Sequence, residues 1–514
     1  MESALRKKNI ALVMHKIYLD YPKEKLVGVY RMTTPCVLVR DLEVIKHVMI
    51  KDFDMFEDRG IEFSKEGYGA NLFHSDGETW RALRNRFTPI FTSRKLKNML
   101  YLMTDRGDKF VQGVEKIVKE QPEQAVLKHI QLYTIATISA CAFGIDIDKL
   151  GKTLDSLYKL DEMALNTNFF SELDMMFPGI LKHMTYTIYP ALAREIFDGL
   201  IKNVITERNG KPSNRNDFID LILALKEKGE IEASKINTDD KIKPLELTES
   251  VMAAQAFIFF LGGYETSSTT MTYMMYQLAL NPDIQNKMIE EIDEVLERCN
   301  GDVTYETLNE LTYMEKVFDE TLRMYPIVDP LQRNAKNDYK VPGTDVVIKK
   351  GQTVLVSPRS LHYDEQYYPE PHKFDPERFS PEAVGERHSC AYIPFGVGPR
   401  NCIGMRFAKV QSRVCLLKFF SKFRVEATKQ TPKVIEYDPR RTTVSPPSHP
   451  FSYKERMGSG SGLFFLSVHP LFRRVKVGNA YAIASVYGQR LLRYFSDFKL
   501  PLGRLPSYDI KKNI

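Results

Sequence analysis

The chain has 514 residues with 72 Lys and Arg against 66 Asp and Glu, a net charge of +6 too mild to argue for a nucleic-acid partner. Its 43% hydrophobic and 27% charged residues, with 30 Phe and 26 Tyr, supply a sizeable core and exclude a disordered or fibrous polymer. Six cysteines, at 36, 141, 299, 390, 402 and 415, form no CxxC pair and no dense spacing, which predicts a reducing compartment rather than a disulfide scaffold.

In chain order, the start reads Met-Glu-Ser-Ala-Leu-Arg-Lys-Lys, with neither a signal peptide nor a membrane span, so the expectation is a protein without an N-terminal anchor. Two β-rich runs follow at 27–30 and 36–39, then a short helix over 42–49. Residues 57–77 scatter four glycines among polar residues and predict a loop. Trp80, the single tryptophan, and Arg84 stand four apart and share a face of any helix that holds them. Residues 95–228 are mostly helical by periodicity, with an apolar and aromatic stretch at 175–192 that fits either core packing or contact with a lipid surface.

A long helix is predicted from about 247, closed by Asn281-Pro282. Its most apolar part, 251–263, is too short to span a membrane, which takes about 20 apolar residues, and is a core segment. The adjacent Gly262 and Gly263 inside it cost about 1 kcal/mol each against alanine. A local opening of the helix beside the Thr266 hydroxyl would explain them. Residues 313–325 predict a helix carrying Glu320 and Arg323, 346–348 and 354–356 short strands, and the Pro-laden 374–379 a turn holding Arg378.

Residues 395–408 read Phe-Gly-Val-Gly-Pro-Arg-Asn-Cys-Ile-Gly-Met-Arg-Phe-Ala. Ile403, Phe407, Val410, Val414, Leu417 and Phe420 set a helical rhythm just after Cys402. A cysteine there meets the positive end of the helix dipole, which favours thiolate, and the flanking glycines let the backbone lie close to a flat group. A lone cysteine among glycines is ordinarily a small buried apolar side chain, and only the rest of the string argues otherwise.

That string, Phe-x-x-Gly-x-Arg-x-Cys-x-Gly, resembles the haem-binding loop of the cytochrome P-450 family, closest to its microsomal, drug- and toxin-oxidising branch and particularly its insect members. The resemblance, carried by residues 25–446, implies a mainly α fold with a minor β region in a single large domain over 1–447. It implies haem b (iron protoporphyrin IX), with Cys402 as axial ligand of the iron and Phe395 on the same loop. Trp80, Arg84, Arg333 and Arg400 match positions that bind the haem and its two propionates. Thr266 and Glu265, in Gly-x-Glu-Thr, match the acid and alcohol that relay protons. Gly262 stands where many relatives have alanine. Glu320, Arg323 and Arg378 match a buried ion network that locks the cysteine loop.

The activity implied is a monooxygenase that inserts one oxygen atom of dioxygen into lipophilic small molecules, xenobiotics or endogenous lipids. No flavin or nicotinamide fingerprint is present, so electrons from NADPH must arrive through an NADPH-cytochrome reductase, with cytochrome b5 a second donor. Arg84, Arg86, Arg94, Lys95, Lys97, Lys409, Arg413, Lys418 and Lys422 offer a cationic face for such partners. The location implied is the cytoplasmic face of the endoplasmic reticulum membrane, held peripherally at the membrane surface. Two alternatives stay open: a haem-binding protein without turnover, and a haem-thiolate enzyme that rearranges peroxides. Residues 448–514 read as an atypical extension, with 461–468 as a displaced final β-hairpin.

Overall fold

The computed structural model describes residues 8–445 and 450–455, apart from 32–33, 62–66, 121–122, most of 148–190, Asn214, Asn216 and 228–247. All of them belong to the first of two compact units, Met1–Arg456; the second, Met457–Ile514, and with it the expected hairpin at 461–468, lies outside the described residues. So does most of the apolar stretch at 175–192.

The helices are α1 (Ile10–Asp20), α2 (Leu42–Lys46), α3 (Gly77–Phe87), α4 (Ser93–Glu120), α5 (Val126–Ile138), α6 (Ala191–Glu207), α7 (Phe218–Glu227) and α8 (Glu249–Leu280). After them come α9 (Pro282–Arg298), α10 (Tyr305–Glu310), α11 (Thr312–Met324), α12 (Pro358–His362), α13 (Pro381–Glu386) and α14 (Met405–Phe420). The strands are β1 (Leu26–Arg31), β2 (Thr34–Val39), β3 (Glu123–Ala125), β4 (Leu331–Asn334), β5 (Tyr339–Lys340), β6 (Val347–Ile348), β7 (Thr353–Val356), β8 (Phe423–Glu426) and β9 (Pro450–Glu455). The fold is mainly α with a minor β region, as the resemblance implied.

Helix α8 is the spine. The Thr248 hydroxyl caps it, accepting from the Val251 N–H at 3.3 Å, and Asn281 ends it where Pro282 starts α9. Its sequence is apolar around most of its circumference because it is buried on most sides, by α5, α6, α11 and α14. Gly263 is explained by the first of these neighbours: a Cβ there would come within 2.8 Å of the Ile138 side chain. The expected opening of α8 is not found. The helix runs unbroken from Glu249 to Leu280, and the Thr266 hydroxyl donates to the Gly262 carbonyl at 2.8 Å, the ordinary bond of a mid-helix threonine.

Strands β1, β2, β7 and β4 form one sheet in that order, with β2 and β7 parallel and the outer pairs antiparallel. Its apolar face packs on α1 and α2 in a core separate from the one around α8. Helix α1 was not anticipated; Asn9 caps it, accepting from the Ala11 N–H at 3.0 Å, while its amide donates to the carbonyls of Asp438 and Arg441. The expected helix at 42–49 is α2 followed by one wider π turn, His47–Lys51. Strand β9 pairs in register with β8 and β3. Among the described residues no helix is long and apolar enough to cross a membrane.

Candidate functional site

A cavity of about 830 Å³ separates α8 from the loop that carries Cys402. The loop is a wound strap. The Cys402 N–H donates to the Phe395 carbonyl at 2.8 Å, Asn401 to Gly398 at 3.0 Å, and Gly396 to Ile393 at 3.0 Å. Gly396 and Gly398 hold φ of +71° and +76°, a left-handed conformation in which glycine alone is unstrained. At Gly398 the Met49 carbonyl oxygen occupies the space a Cβ would need, so this glycine serves the approach of two backbones as well. Helix α14 begins at once, at Met405.

Cys402 lines the cavity and is exposed, and desolvation by the surrounding protein pushes the thiol's pKa above its ordinary value. The Gly404 N–H, Arg84 and Arg59 oppose the shift without reversing it. Burial thus works against the thiolate that the helix dipole favours. Among the described residues no cluster of three or more His, Cys, Asp or Glu side chains forms a cage for a bare ion, so Cys402 offers a single protein ligand.

Beside the loop the chain gathers four guanidinium groups. Arg84, on α3, donates to the Asn401 carbonyl at 2.9 Å and to its side-chain oxygen at 2.7 Å, and so holds the loop directly. Arg400 lies over the Trp80 ring at 4.4 Å and donates to the Ser75 carbonyl at 2.8 Å and to Asp76 at 3.2 Å. Its Nε and Nη1 are buried and find no acceptor among the described residues; the same holds for Nε of Arg333 on β4. Burial lowers both guanidinium groups to about 10, and mutual repulsion between them adds to the shift of Arg333. Arg59 is lowered too, first by burial and then by Arg333 and Arg400. A buried positive cluster with unmet donors is matched by an anionic group, and a flat tetrapyrrole with two carboxylates fits it. Arg59 was missed in the sequence. It sits between Asp58 and Gly60 in a segment read only as loop, and nothing local marks it.

Across the cavity, α8 presents Ile258, Phe259, Gly262 and Thr266. A Cβ on Gly262 would meet nothing within 4 Å, so this glycine leaves space open. Glu265 also borders the cavity but has different partners from Thr266. Its carboxylate accepts from Ser445 at 3.0 Å and Gln131 at 3.3 Å, and pairs with Arg441 at 3.4 Å. Leu331 also lines the cavity, whereas the neighbouring aromatics of α8, Phe257 and Phe260, turn away and pack against Phe197 on α6. Counting back from Thr266 by whole turns gives 262, 259 and 258, and that phase would have identified the right aromatic.

Glu320 and Arg323 are fully buried and joined at 2.6 and 2.9 Å, with Arg378 3.7 Å from the same carboxylate. Burial works against the Arg323 charge, but Glu320 outweighs it and raises the pKa. Of the cationic face, Lys97, Lys409, Arg413, Lys418 and Lys422 each have a carboxylate partner within the molecule, which weakens its field.

Comparison with known proteins agrees with this geometry. The family model described as Cytochrome P450 matches residues 3–454. The chain is 56% identical to cytochrome P450 6B2 of Helicoverpa armigera over 445 residues, 87% of this chain and 88% of that one. It is 56% identical to cytochrome P450 6B5 of Papilio glaucus over 431 residues, 84% of this chain and 90% of the other. With cytochrome P450 6a2 of Drosophila melanogaster the identity is 37% over 444 residues, 83% and 87% of the two chains.

Proposed function

The chain belongs to the cytochrome P450 family, and on that premise we propose the roles of its residues in a haem-dependent monooxygenase acting on lipophilic molecules, with NADPH electrons delivered through a reductase. Cys402 would hold the haem iron through its sulfur. The observation that carries this reading is its sulfur opening onto a cavity whose floor also holds buried arginine N–H groups without acceptors. Bound there, the haem supplies the dioxygen activation and substrate oxidation that no side chain can perform.

Everything else falls to the protein. Arg333 and Arg400 would hold the haem carboxylates through those unmet donors, with Arg59 adding charge and Trp80 backing Arg400. Arg84 and Phe395 fix the loop, one through Asn401 and one through the Cys402 N–H. Thr266 faces the cavity with a hydroxyl that can leave the Gly262 carbonyl and hand a proton inward, and the absent side chain at Gly262 makes room beside it. Glu265 is the proton reservoir behind it, reached from Ser445 and Gln131. Ile258, Phe259, Leu261 and Phe91 exclude water from the reacting face.

The catalytic body in this proposal runs to Glu455, on the strength of the register between β9 and β8. The protein is associated with the endoplasmic reticulum. We place it on the cytoplasmic face, with Leu19, Tyr21 and Tyr30, 51–75% exposed, against the lipid surface; Tyr30 also borders the cavity, which suits a lipophilic substrate. Cytochrome b5 would share the reductase face through the exposed Arg94 and Arg406. The deciding experiment is the absorption spectrum of the reduced, CO-bound protein. A strongly red-shifted Soret band is expected and should vanish in Cys402→Ala; its survival there would refute the ligand assignment.

A further inference from the structure

Between the buried Glu320–Arg323 pair and the cysteine loop stands a histidine that the reading above leaves without a role. His362, the last residue of α12, is wholly buried. Its Nδ1 lies 3.0 Å from the Arg323 carbonyl, and its Nε2 lies 3.1 Å from the Ile393 N–H. A carbonyl can only accept and an amide N–H can only donate, so the ring must carry its proton on Nδ1 and accept on Nε2. Arg323 closes the circuit by donating to the His362 carbonyl at 2.8 Å. Burial, then the Arg323 charge, holds the ring's pKa down at about 3, so this neutral tautomer is the state near neutral pH.

Ile393 is where the wound strap begins. Its carbonyl accepts from Gly396, and the next residue but one, Phe395, accepts from the Cys402 N–H. The flanking contacts hold other parts of the strap: the Tyr368 hydroxyl bonds the Ala391 carbonyl at 3.2 Å, and the Tyr392 hydroxyl bonds the Asp319 carbonyl at 2.9 Å. Neither reaches the Ile393 N–H.

We propose that His362 is a positioning residue for Cys402, transmitting the geometry of the Glu320–Arg323 pair through its two ring nitrogens to the start of the cysteine strap. The inference rests on Cys402 being the haem ligand, and the two can fail separately: loss of the red-shifted CO band in wild type would sink the ligand reading, whereas the variants below test the relay.

Glutamine and asparagine divide the ring's two contacts. In His362→Gln the amide oxygen sits near the place of Nε2 and keeps the bond from Ile393. In His362→Asn the amide sits near Nδ1, keeps the Arg323 carbonyl and leaves the Ile393 N–H unmet. Each variant loses one bond and His362→Asn one methylene more, so conversion is compared at urea concentrations that match the two variants' global stability, where a merely structural role predicts equal damage to both. The relay predicts that His362→Asn converts from the red-shifted, thiolate-type CO band to the shorter-wavelength, thiol-type band about tenfold faster than His362→Gln, the scale of one buried hydrogen bond. Equal conversion rates would overturn the proposal. Should neither variant fold, hydrogen exchange on the wild-type holoprotein decides: the 391–396 segment should be protected as strongly as 320–324, and exchange as fast as at the exposed 384–386 would overturn it.

Discussion

Gly396 and Gly398 have nearly the same backbone and different surroundings, which makes their alanine variants a matched pair. Both φ values are left-handed, +71° and +76°. Placing alanine in that conformation costs about 1–2 kcal/mol, partly offset because the unfolded chain is also restricted, by about 0.4–1 kcal/mol. For Gly396→Ala that is nearly the whole effect: the new Cβ would lie 3.7 Å from the Asn401 Cα and 3.9 Å from Leu331, ordinary contacts. A net loss of about 1 kcal/mol is expected, with haem binding and the CO spectrum kept. For Gly398→Ala the Cβ collides with the Met49 carbonyl oxygen and would sit 2.9 Å from its carbon. Neither is the far end of a side chain, so the strap or the π turn must move. Overpacking adds about 1–3 kcal/mol, for a total of about 3 kcal/mol. Because Asn401 bonds the Gly398 carbonyl at 3.0 Å, the displacement reaches the residue before Cys402, and a large thiol-type CO fraction is expected. Urea denaturation of both holoproteins, alongside CO spectra, reads stability and ligation together. Stabilities within about 0.5 kcal/mol of each other, with equal spectra, would show that φ alone governs both glycines and refute the close-approach argument.

Further variants probe the rest of the frame. Glu320→Gln puts an amide against Arg323 and removes the charge from a fully buried pair, which should cost about 3–5 kcal/mol in chemical denaturation and accelerate haem loss; a cost below about 1 kcal/mol would mean the pair does not lock the strap. On α8, Gly262→Ala should gain up to about 1 kcal/mol from helix propensity while slowing bulky substrates, because its Cβ projects into open space; Gly263→Ala should lose about 1–3 kcal/mol against Ile138. Thermal melts and a size series of substrates separate the two. His74 and His362 carry pKa values pushed down by burial to about 3 from an ordinary 6.5. Below pH 6.5 the unfolded chain binds protons the folded one refuses, so stability falls as pH falls until the folded value is reached, by about 2 kcal/mol per histidine at pH 5. His362→Gln should flatten that slope between pH 7 and 5, and parallel slopes would contradict it.

What could be read from the sequence was local. Cys402, Arg400 and Phe395 lie in one short string, Trp80 and Arg84 within one turn, Glu320 and Arg323 within another, and short spacings survive folding unchanged. What was missed depends on chain segments meeting. Arg59 becomes part of the site because its backbone N–H bonds Asp76 and its guanidinium reaches the Arg400 carbonyl, contacts that no spacing encodes. Gly263 looked like a weak point in a helix because the Ile138 side chain that explains it comes from α5. The cationic face was overestimated because basic residues were counted without Asp108, Glu115, Glu306, Glu315 and Asp319, which fold beside them.

The electrostatics of the cavity floor also say what kind of group completes it. Burial pushes the pKa of the Cys402 thiol up and Arg84 and Arg59 oppose that only in part, so a cation set against the sulfur would favour its thiolate. The arginines have the opposite need: burial lowers the pKa of Arg59, Arg333 and Arg400, neighbouring guanidinium groups lower each further, and Asp76 is the counter-charge common to all three. A bare cation would settle the sulfur and worsen the arginines. A bare dianion would relieve the arginines and push the thiol's pKa higher still. Both imbalances are met by one group with its positive charge at the centre and its carboxylates at the rim, which is the charge layout of haem.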